Sequence, residues 1–110
     1  IDLKSFSEDF YEKYCGAKLK PVLDTIKRAH KKGIHVELTT LVIPGLNDSK
    51  KEFEKIAKFI ASIDKNIPWH ISRFFPMYKM NDKTMTPVET LEQAYKIGKK
   101  YLKNVYIGNV

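Results

Sequence analysis

Cysteine is nearly missing from this chain: Cys15 stands alone. A lone thiol closes no intramolecular disulfide and makes no cysteine-based metal centre, so a reducing, cytoplasmic setting is expected. Arginine is scarce too, with Arg28 and Arg73 set against eighteen lysines. Planar forks for phosphate or carboxylate are therefore few. No apolar run reaches the length of a membrane-spanning helix, and no membrane partner is expected. The five glycines and five prolines are scattered. They form neither a phosphate-binding loop nor a GxSxG nucleophile turn. No low-complexity stretch or linker divides the 110 residues, which suit one α/β domain over 1–110. The chain opens at Ile1, inside a strand pattern and without methionine. That sets the expectation of a fragment lacking an N-terminal part.

What is present is a repeated phrase. IDLKSF at 1–6, VELTTLVIPGLND at 36–48 and WHISRFFP at 69–76 are β-prone runs that end in polar or turn residues. A helix-like segment follows each, and 104–110 ends the chain with another strand pattern. Strand then helix, four times over, predicts parallel strands joined by crossovers. Four strands fall short of the roughly eight that close a barrel. In such sheets chemistry gathers at the carboxyl ends of the strands, here Lys4, Pro44-Gly45 and Arg73.

Local signals fill in the elements. Ser7 is read as the cap of a short helix running to Tyr14 and stopped by Cys15-Gly16. Pro21 is expected to begin a second helix, with Val22, Leu23, Ile26 and Ala29 inward and Gly33 as its stop. Ile34–Ile43 is the strongest strand. Ser49–Glu52 reads as a capping box, followed by Phe53, Ile56, Ala57, Ile60 and Ala61 on an inner face. Trp69–Phe74 makes the next strand, and 75–85 the longest loop, with Pro76, Met77, Tyr78, Met80 and Met85. Thr86–Glu89 reads as a second capping box with Pro87 at the first helical position. Leu91, Ala94, Tyr95, Gly98 and Leu102 then face inward.

Alternation sorts the candidate site residues. Asp2 and Lys4 share one strand face, where two charges are costly unless paired or used. His35, Glu37, Thr39 and Leu41 share a face of the next strand, opposite Val36, Leu38, Thr40 and Val42. His30 ends a lysine-rich helix, and His70 falls early in its strand. The three histidines lack the ligand spacing of a metal site, so none is expected. Arg73, flanked by Phe74 and Phe75, suits anion recognition or a stacked structural role. The lysines interleave with Glu52, Glu54 and Glu92, which favours a solvated outer helix layer. A lysine-rich nucleic-acid-binding module is the alternative. A phosphate- or sugar-processing barrel half, with Lys4 and Arg73 as clamp, lacks a phosphate loop to support it.

Whole phrases carry more than spacing. DLKSF at 2–6, TTLVIPGLND at 39–48 and PWHISRFFP at 68–76 resemble the later barrel strands of radical S-adenosylmethionine proteins. The similarity is to the pyruvate formate-lyase activating enzyme-like branch, which includes the radical member of the AmmeMemoRadiSam system. YCGAKLKPVLDTI at 14–26, TPVETLEQA at 86–94 and YIGNV at 106–110 extend it over essentially the whole chain.

The resemblance implies the C-terminal half of a partial TIM-type (β/α)₆ barrel. The parent would be an oxidoreductase that uses S-adenosylmethionine and a [4Fe–4S] cluster to make a 5′-deoxyadenosyl radical, acting on a protein or small-molecule substrate. It places Asp2 and Lys4 at the methionine moiety, Thr39 and Leu41 near the adenosine, and Ser72 through Phe75 on the adenine and substrate side. Arg73 would then contact substrate. The family's CxxxCxxC loop does not occur here, so this chain alone is expected to hold no cluster and to be inactive. Self-association through open sheet edges is also expected.

Overall fold

The computed structural model describes residues 1–75 and 85–108. Three parallel strands, β1 (Leu38–Val42), β2 (Trp69–Arg73) and β3 (Val105–Gly108), lie in that order in one sheet. Helices α3 (Lys50–Ile63) and α4 (Val88–Tyr101) make the two crossovers. The register pairs Leu38 with Trp69 and Trp69 with Val105. Ahead of β1 come α1 (Glu8–Phe10), a π-helical turn (Tyr11–Cys15) and α2 (Leu19–Lys31). The parallel βα repeats expected from the sequence are the observed architecture, and the sheet is open.

One face of the sheet is packed. Leu38, Thr40, Val42, Trp69, Ile71 and Val105 are buried, beneath Phe53, Ile56, Ala57 and Ile60 of α3 and Leu91 and Ala94 of α4. Gly98 lets α4 settle directly on Trp69, because a Cβ there would stand 3.0 Å from the indole ring and 3.1 Å from Val105. Inside this layer the Trp69 indole N–H donates to Thr40 Oγ1 at 3.0 Å, and that hydroxyl donates to Leu3 O at 2.7 Å. Buried polar groups are thus paired, as a low-dielectric interior requires.

Several sequence expectations need correction. The first strand reduces to one parallel bridge, Asp2 to Thr39, because side chains take over the backbone groups farther along. The second starts at Leu38 rather than Ile34: its amide donates to Pro68 O at 3.0 Å, and proline offers no N–H to carry the ladder further back. Ser7 does cap α1, yet the helix widens into the π turn before Gly16 ends it at φ 61°. Pro21 is the third residue of α2, still within the turn whose N–H groups need no helical partner. Tyr95 is exposed rather than inward.

Of the two expected capping boxes, the first is half formed and the second does not form. Ser49 accepts from the Glu52 amide at 3.1 Å, but the Glu52 carboxylate is turned to Ser5 Oγ and to the Phe6 amide at 2.6 Å. Thr86 caps nothing. Pro87 holds the N-cap position, and Thr86 is buried between strand ends. The expected loop residues Pro76, Met77, Tyr78 and Met80, and the end of the last strand at Asn109 and Val110, lie outside the described residues.

Candidate functional site

Parallel sheets are normally covered on both faces. Among the described residues no helix covers the second face, and the alternation along each strand puts a polar set on it. Asp2, Thr39, His70 and Tyr106 align across the sheet by register. Two residues on, toward the carboxyl ends, come Lys4, Leu41, Ser72 and Gly108, with Leu41 paired to Ser72 and Ser72 to Gly108. Asp2, Lys4, Thr39, Leu41 and Ser72, singled out in the sequence, therefore share one open wall. The Lys4 ammonium stands 3.9 Å from the Asp2 carboxylate, and the two side chains are 52% and 69% exposed. Such a wet pair costs little to separate, so both charges are available to a ligand.

Arg73 and Phe75 sit apart from that set. Arg73 has the strand parity of Trp69 and Ile71, its Nε donates to Thr86 O at 2.7 Å, and its guanidinium lies 5.5 Å from the centre of the exposed Phe75 ring. Together they form a stacked corner at the carboxyl end of β2.

Below the wall's centre an acid–imidazole cluster crosses the strands. Glu37 pairs through one carboxylate oxygen with His70 Nε2 at 2.5 Å and through the other with His35 Nε2 at 3.0 Å. His70 in turn stacks on Tyr106, ring centres 5.2 Å apart. The His70 and His35 hydrogen bonds hold the Glu37 carboxyl below the usual glutamate range. His30 pairs with Asp64 at 3.1 Å, on the rim of a cavity of about 340 Å³ formed with Gly33, His35 and Pro68. That cavity lies at the amino end of the sheet, away from Lys4 and Ser72. An uncovered wall encloses no volume, so cavity size does not mark the candidate site.

Sequence patterns missed the residues that hold the wall's upper edge. Asn47, read as part of a helix start, is buried, and its Nδ2 donates to Lys4 O at 2.8 Å and Leu41 O at 2.9 Å. Its Oδ1 accepts from the Ile43 amide at 2.7 Å. Gly45, at φ 81°, supplies the left-handed turn that folds Asn47 back onto the strand. Tyr11 Oη accepts from the Lys4 amide at 3.0 Å, and burial pushes the Tyr11 phenol up. Thr86 Oγ1 donates to Val42 O at 2.6 Å and accepts from the Phe74 amide at 2.8 Å. The available signal was an amide residue just after Pro-Gly, a pattern that suits back-bonding as well as capping.

The lysines of α3 and α4 lie on the outer layer. Lys50, Lys96 and Lys100 line an α3–α4 groove of about 320 Å³, with Glu54 inside it. Glu54 is held by Lys58 at 3.1 Å and by the Tyr101 hydroxyl at 3.2 Å, which lowers its pKa. Among the described residues, no helix is long and apolar enough to cross a membrane, and no three His, Cys, Asp or Glu side chains gather to hold a metal ion. Cys15 is half-buried at the end of the π turn.

No family model matches the chain. A curated relative, uncharacterized protein MJ0808 of Methanocaldococcus jannaschii, is 46% identical over 112 residues, covering 100% of this chain and 33% of the relative. The chain thus spans about a third of that protein's length. Among solved structures, a domain of pyruvate-formate lyase-activating enzyme from Bacteroides vulgatus superposes with a TM-score of 0.87 over 99% of this chain and 65% of that one, at 21% identity. The chain has the fold of that domain.

Proposed function

We propose that the chain is the C-terminal wall of a cytoplasmic radical S-adenosylmethionine enzyme similar to pyruvate formate-lyase activating enzymes. The observation that carries this is the grouping of Asp2, Lys4, Thr39, Leu41 and Ser72 on one open face of a parallel sheet whose other face is packed. The sequence phrases and the fold likeness support the same assignment.

The donor set fits S-adenosylmethionine. Its amino acid end carries an ammonium and a carboxylate, which Asp2 and Lys4 match in charge, 3.9 Å apart at the edge of the wall. Thr39 and Ser72 offer hydroxyls, and Leu41 an exposed apolar surface, for a nucleoside. When bound, S-adenosylmethionine supplies a sulfonium whose one-electron reductive cleavage gives methionine and a 5′-deoxyadenosyl radical. The residues do not fit the [4Fe–4S] cluster, since Cys15 is alone. In this proposal the cluster belongs to another part of a longer parent, and the chain by itself turns nothing over. Its tasks are to bind, orient and help exclude water. The substrate is a protein or small molecule whose hydrogen atom the radical takes.

The test uses the full-length parent, purified anaerobically with its cluster reconstituted. With dithionite, 5′-deoxyadenosine and methionine are expected to form in equal amounts, and Lys4→Met to lower that yield. An intact cluster with no cleavage under these conditions overturns the proposal.

A further inference from the structure

We infer that Tyr11 and Asn47 are positioning residues for Lys4, holding its backbone where the ammonium meets a ligand carboxylate; this rests on the S-adenosylmethionine assignment above. The main-chain ladder between the N-terminal segment and the start of β1 runs Ile1 N to Glu37 O at 3.0 Å, Thr39 N to Ile1 O at 3.0 Å and Leu3 N to Thr39 O at 2.9 Å. It stops before Lys4. Past that point, side chains do what a strand partner would otherwise do. The Lys4 amide is spent on Tyr11 Oη and its carbonyl on Asn47 Nδ2, at 3.0 and 2.8 Å.

Both clamps are themselves fixed, at 3% exposure each. The second Nδ2 hydrogen of Asn47 goes to Leu41 O, at 2.9 Å, so one amide group sets the spacing between Lys4 and the neighbouring strand. Lysine is long and loses much freedom when it engages a ligand. Where its Cα stands decides whether the ammonium reaches at all, and small displacements of a binding group are expensive. Neither Tyr11 nor Asn47 needs to touch the ligand to matter.

The experiment compares two probes by titration calorimetry on the anaerobic full-length parent. One is S-adenosylmethionine; the other is 5′-methylthioadenosine, which keeps the nucleoside and lacks the amino acid. Tyr11→Phe keeps the ring and removes one acceptor, and should weaken S-adenosylmethionine about fivefold, the scale of one hydrogen bond. Asn47→Asp, which loses both donors, should weaken it on the order of tenfold or more. Neither should change 5′-methylthioadenosine affinity by more than about twofold, and in a Lys4→Met background neither should weaken S-adenosylmethionine further, because coupled residues are not additive.

Equal losses on both probes, or no loss on S-adenosylmethionine, overturn the positioning role while leaving the enzyme assignment standing. A wild-type parent that does not bind S-adenosylmethionine overturns both. Should Asn47→Asp fail to fold, Tyr11→Phe decides alone.

Discussion

The two faces of this sheet are held to different standards. On the packed face, Leu38, Thr40, Val42, Trp69, Ile71 and Val105 are buried, and Gly98 is small because Trp69 needs the room. On the bare face, Asp2, Lys4, Leu41 and Tyr106 meet water. The packed face defines the shape of the domain, and volume changes there are felt directly. The bare face contributes little to stability, which leaves its residues free to be chosen for what they bind. Buried polar groups, Thr40, Asn47, Glu52 and Thr86, tie the strand ends and the N-terminal segment together.

The sharpest way to break that comparison is truncation on either face. Trp69→Ala removes the largest fully buried side chain and the indole N–H that Thr40 Oγ1 accepts; urea melts should show a loss of about 3–5 kcal/mol. Leu41→Ala, one strand away on the bare face, should fall within about 0.5 kcal/mol. Similar losses for the two would mean that the faces do not differ as described. Next come the buried polar groups. Thr86→Val keeps the shape but leaves Val42 O and the Phe74 amide without their partner; about 1–3 kcal/mol should be lost, and Thr86→Ser should recover most of it.

The smallest effect concerns pH. Hydrogen bonds from His70 and His35 hold the Glu37 carboxyl below its ordinary value, so the folded state binds a proton there less readily than the unfolded chain. That contribution is complete above the ordinary glutamate pKa and is lost as pH falls through the lower, folded value. Glu37→Gln should therefore flatten the acid limb of a stability–pH curve and leave the neutral region nearly unchanged. A curve that keeps its acid slope in the variant would place the linkage elsewhere.

Much of the packed face was legible from periodicity. The spacing of Phe53, Ile56, Ala57 and Ile60, and the alternation through Leu38–Val42 and Trp69–Arg73, identify elements and their buried sides without coordinates. So was the pairing of Asp2 with Lys4 and of Thr39 with Leu41, because a strand's two-residue period leaves few choices; Ser72 came from the family resemblance, which did not separate it from Arg73 and Phe75. What failed were short motifs that have both a local and a distant use. Glu52 sits where a capping box wants it, and bonds instead to Ser5 and Phe6, far away in the chain. Thr86 looks like a cap and serves two strand ends. Asn47 looks like a helix start and serves Lys4. A sequence window shows the local partner and hides the distant one, and burial decides between them.

Thr86 has one more effect, on what lies between it and β2. Its amide donates to Phe74 O at 3.1 Å while its hydroxyl takes the Phe74 N–H, so the two ends of 75–85 are buttoned together at the root. Closing a longer or shorter span over a fixed root changes the entropy only slowly with length. A change at Thr86 therefore acts on Val42, on Phe74 and on that closure at once.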